Sequence, residues 1–351
     1  MTLVVPVCGI DPFVAETLGS SFCLDYPHYE IIFCIANAGD PAVPAVRRLI
    51  AANPDVGARL LVGDNRISAN PKLNNIAKGW DAARHRWIAV ADSNALLPRD
   101  YLTRLLGRWR HDTGAVCSMP IGTRPTNFAA EIECAFLNTL QARFQYVSEA
   151  LGFGFAQGKT MLFRRDLVDR AGGLATLAID IAEDAATTKM VRGAGLNVHL
   201  VDTPVEQPLG RRRMTEIWAR QLRWARLRRS SFPWLFLPEI LVGSALPCLA
   251  IASAAAYYEV SVPGAVGLLL MIWVGTEAAL ASIVGWCFPV RMIAAILLRD
   301  LLLPLLWIAA WMGNDFVWRG TAMHATAAVG PYADPEFVAP EAVQPSGRSL
   351  G

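Results

Sequence analysis

Charge almost disappears from this chain between Leu235 and Met312, after 230 residues in which apolar and charged stretches alternate as in a globular domain. Residues 240–258 run 19 positions without a charge, about the length an α-helix needs to cross a bilayer. Residues 262–290 form a second candidate, interrupted only by Glu277, and 292–312 a third that carries Arg299-Asp300 near its centre. A soluble core helix rarely runs so long without charge, so the first two are read as spans. Adjacent Arg and Asp at membrane depth are costly unless they face protein, so the third reads as a span or a re-entrant segment. The 54% of hydrophobic residues in the 351-residue chain is therefore concentrated rather than spread.

The formal net charge of +2 conceals a cluster. Arg211, Arg212, Arg213, Arg220, Arg223, Arg226, Arg228 and Arg229 fall within 19 residues just ahead of the apolar third. Such a run is often only a solvated helix face; placed before a span, it reads as a contact with anionic headgroups. It is one juxtamembrane block rather than a stripe interleaved with aromatics, so nucleic acid is not an expected partner. Arg291 falls on the same side and Tyr257-Tyr258-Glu259 on the other, which places the N-terminal domain of this integral membrane protein in the cytoplasm. The seven cysteines (Cys8, Cys23, Cys34, Cys117, Cys134, Cys248, Cys287) are dispersed without C-x-x-C or metal spacing, as fits reduced thiols. Residues 1–8 read directly as a strand, not as a signal peptide.

The first half alternates β-branched runs (2–7, 30–36, 59–62, 87–91, 115–119) with helical stretches such as 43–52 and 98–111. That pattern predicts an α/β, doubly wound, mostly parallel sheet, with ligands beyond the carboxyl ends of its strands. Asp40 and Asp92 both sit just past a strand. Residues 127–158 predict a long helix, 160–164 a strand, 181–192 a helix and 196–201 a further strand. The expected division is a catalytic domain over 1–230 ending in an interfacial basic helix, a membrane region over 231–320 with two or three segments, and a disordered tail over 321–351.

Asp92-Ser93-Asn94 ends an apolar strand, where a carboxylate faces the ligand crevice and suits Mg²⁺ or Mn²⁺, which take hard oxygen ligands and substrate phosphate. A plain Asx turn explains the same residues equally well. Asp40 in Asn37-Ala38-Gly39-Asp40-Pro41 reads by itself as a helix N-cap with Pro at the first helical position. Asn70-Pro71-Lys72 stands at a loop-to-helix junction, a natural anion site, although a solvated lysine accounts for Lys72 as well. Glu183-Asp184 opens a helix, as acidic residues commonly do. Arg220-Gln221-Leu222-Arg223-Trp224 lies beside the apolar third. Together these residues supply what sugar transfer from a nucleotide donor requires: a metal to neutralise the diphosphate, a base for the acceptor hydroxyl, and cationic groups for the leaving group.

In series along nearly the whole chain, these motifs resemble the ceramide glucosyltransferase family, glycosyltransferase family 21, within the larger family 2-like group of GT-A fold. The resemblance rests on Leu24-Asp25-Tyr26-Pro27, Asp40-Pro41-Ala42, Asn70-Pro71-Lys72 with Asn74-Asn75, Asp92-Ser93, Ala171-Gly172-Gly173-Leu174, Ile181-Ala182-Glu183-Asp184, the R-x-x-R-W pentad and Trp318-Arg319-Gly320. It implies that Asp40 and Asp92 bind nucleotide and metal–diphosphate, that Asp184 is the base of an inverting reaction giving a β-glycoside, and that Arg220, Arg223 and Trp224 line the donor and acceptor site at the membrane surface. Two departures stand out. Relatives commonly begin with a transmembrane helix ahead of the first strand, and Gln141 stands where animal members carry a His.

The resemblance thus implies a UDP-hexose donor, glucose or galactose, and a lipid acceptor, ceramide or diacylglycerol, in what the Ala- and Arg-rich composition makes a bacterial inner membrane. Addition of N-acetylglucosamine to a hopanoid is an alternative, as is a catalytically inactive lipid-binding scaffold. A polysaccharide synthase would need more spans than three hydrophobic segments supply.

Overall fold

A computed structural model of the chain describes residues 1–286 and 288–325. The apolar, β-branched runs of the N-terminal part form β1 (Thr2–Pro6), β2 (Glu30–Ile35), β3 (Gly57–Val62), β4 (Trp87–Ala91), β5 (Thr113–Cys117), β6 (Pro120–Pro125), β7 (Thr160–Arg164), β8 (Asn197–Leu200) and β9 (Val205–Gly210). Seven of these make one sheet in the order β3-β2-β1-β4-β7-β5-β8. All pairings are parallel except those of β7, which runs antiparallel to both β4 and β5. The chain progresses from β1 through β2 to β3 on one side and returns to β4 on the other. The reversal opens a crevice at the carboxyl ends of β1 and β4, the place where doubly wound sheets bind ligands.

The first helices are α1 (Val14–Ser20), α2 (Ala42–Ala52), α3 (Pro71–Ala82), α4 (Tyr101–Gly107), α5 (Phe128–Ala135), α6 (Arg143–Ala150), α7 (Arg165–Arg170) and α8 (Glu183–Gly193). Strand residues alternate between two faces, and each face has its own core. Leu3, Val5, Ile31 and Phe33 pack with Leu18, Val43, Val46, Leu102 and Leu105 of α1, α2 and α4. Val4, Ile32, Ile88 and Val90 pack with Leu73, Ile76, Trp80, Ala186 and Val191 of α3 and α8. Each of the Val, Leu, Ile and Phe side chains stabilises the fold by about 1.5–3 kcal/mol relative to exposure. Gly79 lets α3 press onto the sheet, because a Cβ there would lie 2.5 Å from Val4 Cγ1 and 2.9 Å from Cys34 Sγ. No disulfide joins the described cysteines; Cys287 lies outside the described residues.

The predicted long helix over 127–158 is a rod of α5, a π-helical segment Phe136–Ala142, and α6. The π segment turns Asn138 onto the β6–β9 pair, accepting from Gly122 N at 2.7 Å and donating to Gly122 O at 3.1 Å. Beyond β9 come α9 (Met214–Ser231), α10 (Pro233–Phe236), α11 (Ala245–Tyr257), α12 (Val262–Ile283), α13 (Arg291–Trp311), and a hairpin of β10 (Asp315–Trp318) and β11 (Thr321–His324). A third apolar cluster joins the rod to these helices through Ile132, Phe136, Leu140, Ile217, Val274, Ala295, Ile296 and Leu306.

Among the described residues two helices, α12 and α13, are long and apolar enough to cross a membrane, or three if a bent pair counts as one span. The first expected span, 240–258, is broken: Pro233–Leu241 and Ala245–Tyr257 meet at 48°. The break occurs where Ser244 N donates to Asp300 Oδ2 at 3.0 Å, and where Gly243 comes so close that a Cβ would lie 2.9 Å from Leu303 Cδ1. The third segment, expected to span or re-enter, is continuous despite Pro304, because its two charges do face protein. Arg299 is fully buried, donating to Glu277 at 2.9 and 3.0 Å, to Asp300 Oδ1 at 2.7 and 2.8 Å, to Thr139 Oγ1 at 2.9 Å and to Ala135 O at 3.0 Å. Arg143 of the rod adds a second cation to Glu277 at 3.2 Å. The expected tail boundary at 321 is corrected, since Thr321–His324 pairs with β10; residues 326–351 lie outside the described residues.

Candidate active site

Asp92 follows β4 at the crevice. Ala91 pairs with Thr160 in the β4–β7 ladder, and the next rung, Asp92 N donating to Lys159 O at 2.8 Å, sets Lys159 beside it. The Lys159 ammonium lies 3.0 Å from Asp92 Oδ2 and 2.7 Å from Asn94 Oδ1. Lys72 reaches the other carboxylate oxygen at 2.8 Å and Glu183 Oε1 at 2.7 Å, and donates to Gly158 O at 2.5 Å. Burial alone would push the Asp92 carboxyl up, but the two ammonium groups outweigh it and hold it at about 2. Burial likewise opposes the charge on Lys72, yet Asp92 and Glu183 keep it protonated well above the usual lysine range. For Lys159 burial prevails and its ammonium is held below that range.

Asp184 joins the same cluster through Gly158, whose N donates to Asp184 Oδ2 at 3.0 Å. A Cβ on Gly158 would lie 2.9 Å from Glu183 Oε1, 3.2 Å from Asp184 Oδ2 and 3.3 Å from Lys72 Nζ, so this glycine is the floor on which the three groups meet. Burial, then the neighbouring Glu183 charge, raises the Asp184 carboxyl to about 6, a value suited to accepting a proton near neutral pH. Asn70 staples α3 to the start of α8. Its Oδ1 caps α3, accepting from Lys72 N at 2.8 Å and Leu73 N at 3.2 Å. Its Nδ2 donates to Glu183 Oε2 at 2.8 Å and Ile181 O at 3.0 Å, fixing the start of α8.

Asp40 stands one strand away, at the end of β2. Its carboxylate accepts from Gly9 N at 2.9 and 3.2 Å and from Ala42 N at 2.8 Å, tying the loop after β1 to the start of α2. The pentad residues on α9 divide between tasks. Arg220 pairs with the buried Glu133, which also holds Arg212 at 3.1 Å, so it is engaged by protein. Trp224, half-buried, packs against the third apolar cluster with the membrane helices. Arg223 forms no ion pair among the described residues; its guanidinium lies 5.5 Å from the Trp318 ring. Burial, then Arg220 and Arg319, pushes the Arg223 guanidinium down to about 10, still cationic at neutral pH, while Asp92 and Glu183 pull the other way.

Sequence reasoning missed Lys159, the floor role of Gly158, and Glu183 as the second anchor of Lys72. A lysine at the head of a strand that pairs beside Asp92 was the available signal, but it could be used only once β7 was known to insert next to β4. Gln141 donates to Gln221 Oε1 at 3.0 Å, linking the rod to α9. A metal ion at Asp92 would have to displace the Lys159 ammonium. Two hard oxygens, Asp92 Oδ2 and Asn94 Oδ1, converge on the one point where Lys159 Nζ sits. Groups of three or more His, Cys, Asp or Glu suited to a metal are absent among the described residues, so phosphate oxygens would have to complete such a site.

Comparison with known proteins bears on the family and the fold. The family model described as glycosyl transferase family 21 matches residues 1–328. Ceramide glucosyltransferase 1 of Caenorhabditis elegans is 26% identical over 326 residues, covering 91% of this chain and 70% of that enzyme. Ceramide glucosyltransferase of Komagataella phaffii is 31% identical over 229 residues, covering 56% of this chain and 45% of that enzyme. Among solved structures, the mannosyltransferase PcManGT of Pyrobaculum calidifontis, in complex with GDP-Man and Mn²⁺, matches in fold. It has a TM-score of 0.50 and 19% identity, over 89% of this chain and 85% of that one. The family model over residues 1–328 and these relatives show a glycosyltransferase with a GT-A-type sheet, and the chain belongs to glycosyl transferase family 21.

Proposed function

We propose that this protein transfers a hexose, glucose or galactose, from a UDP-sugar to the hydroxyl of a two-chain membrane lipid, ceramide or diacylglycerol, with inversion to a β-glycoside. The observation that carries the reading is the convergence of Asp92 and Asp184 on one cluster through Lys72 and Gly158. Asp184, raised toward neutrality by burial, accepts the proton of the acceptor hydroxyl as that oxygen attacks the anomeric carbon. The bond to UDP breaks on the opposite face. Lys72, Lys159 and Arg223 surround the place where the diphosphate's negative charge develops; such preorganised cations stabilise a leaving group without reorganising. Mg²⁺ or Mn²⁺ bound by Asp92 and Asn94 would supply further neutralisation of the diphosphate.

The lipid reading is supported by α9, which carries Arg223 toward the crevice and packs Trp218, Leu222 and Trp224 into the cluster shared with α12 and α13. A lipid hydroxyl at the bilayer surface then lies within reach of a site built on the sheet. We place the catalytic domain on the cytoplasmic side of a bacterial inner membrane, following the Arg cluster of α9.

The test is UDP release by the full-length protein in mixed-lipid nanodiscs, with mass spectrometry of the lipids formed. Asp184→Asn is expected to lower the rate by about 10²–10⁴-fold while UDP affinity is kept. An active Asp184→Asn variant would remove the base assignment. A product bearing N-acetylglucosamine on a hopanoid, or no product from wild type, would replace the acceptor reading or the enzyme reading respectively.

A further inference from the structure

The Trp318-Arg319-Gly320 motif has no part in the reaction derived above, yet the fold carries it into the crevice. β10 and β11 pair from Asp315 opposite His324 to Trp318 opposite Thr321, leaving Arg319 and Gly320 as a two-residue turn. Both have positive φ, 50° and 83°. Hairpin turns of this kind favour Asn or Asp followed by Gly, because a long side chain in the left-handed region is strained. An arginine at the tip therefore costs the hairpin stability, and strain of this sort persists where it serves a site.

The base of the hairpin is fixed to α9. Arg226 donates to Asp315 O, Arg229 to Asn314 Oδ1, and Ser230 Oγ to Ala325 O at 2.7 Å, while Arg223 lies over the Trp318 ring. The tip reaches the loop after β1. There Arg319 forks onto Asp11, Nη1 to Oδ1 at 3.1 Å and Nη2 to Oδ2 at 2.5 Å, across 308 residues of sequence. Asp11 follows β1 and Asp92 follows β4, so this guanidinium sits at the reversal of the sheet. It is close enough to Asp92, Arg220 and Arg223 to affect the charge of each or be affected by it. Gathering Arg220, Arg223 and Arg319 is repulsive, and a dianionic group between them would relieve that repulsion. Planar guanidinium groups also match phosphate oxygens in pairs.

We propose that Arg319 is a donor-binding residue: the hairpin that follows the last apolar helix delivers it to the nucleotide diphosphate, and Asp11 holds it until the diphosphate takes its place. The inference rests on the nucleotide-sugar reading above. It makes donor binding depend on a segment on the far side, in sequence, of α12 and α13, so the catalytic domain alone lacks one of its phosphate contacts.

The test uses the full-length protein in nanodiscs, with UDP and uridine as separate probes in calorimetric titrations. Arg319→Asn keeps a residue that tolerates the turn and removes the guanidinium. It is expected to weaken UDP by about 10- to 100-fold and leave uridine unchanged, and Arg319→Lys is expected to recover part of the loss. Unchanged UDP affinity in Arg319→Asn, or equal loss of UDP and uridine, overturns the proposal while leaving the donor reading intact. If wild type binds neither probe, the donor reading fails and this inference with it.

Discussion

Lys159 Nζ lies 3.0 Å from Asp92 Oδ2 and shares with it the position where a divalent ion would meet the same oxygen. An ammonium and a metal ion therefore compete for one carboxylate. Lys159→Met is expected to lower the Mn²⁺ concentration giving half-maximal binding by on the order of tenfold, the equivalent of one pKa unit of interaction. Mn²⁺ titration followed by electron paramagnetic resonance in the presence of UDP measures it. No change would show that the ion binds elsewhere.

The raised Asp184 carboxyl fixes the sign of the pH dependence. Its deprotonated form is the base, so activity is retained above about 6 and falls about tenfold per unit as pH drops below it. Turnover at saturating donor between pH 5 and 8 reports this limb. A profile flat through that interval would sink the base assignment.

Gly158 tests the floor of the cluster. A methyl group there meets Glu183 Oε1 at 2.9 Å and presses on Asp184 and Lys72. Gly158→Ala is expected to cost about 1–3 kcal/mol of stability by overpacking and to lower turnover at least tenfold, while UDP release by residual enzyme keeps its pH limb. Wild-type turnover in this variant would mean that the cluster is not the reacting centre.

Arg299 tests how the apolar helices are held to the rod. Removing one partner of a buried pair leaves an uncompensated charge and costs about 3–5 kcal/mol, so Arg299→Met is expected to unfold far earlier in detergent. The double variant Arg299→Met, Asp300→Asn is expected to recover part of the loss, because Glu277 keeps Arg143 whereas the Asp300 carboxylate is the charge left without a cation. Losses that simply add would show that the pair is not coupled.

The sequence by itself determined where strands, helices and apolar segments fall, because period and composition are local properties. β1, β2 and β4 were legible as apolar, β-branched runs, α12 as a charge-poor stretch, and Asp92 as a carboxylate at a strand end. The break at Gly243 was not, since its cause is Asp300, 56 residues away at Ser244. Nor was the insertion of β7 beside β4, which alone turns Lys159 into a partner of Asp92.

Whether the separated carboxylates meet was decided only in three dimensions. Asn70 reads as an anion-site residue in a helix-start motif, and its stapling of α3 to α8 was not legible because Glu183, which meets its amide, lies 113 residues on. Trp224, adjacent to a crevice arginine in sequence, also packs against helices that the pentad gives no hint of. Local pattern sets what each segment prefers; the desolvation and pairing of charged groups depend on neighbours brought from elsewhere in the chain, and no window of sequence contains them.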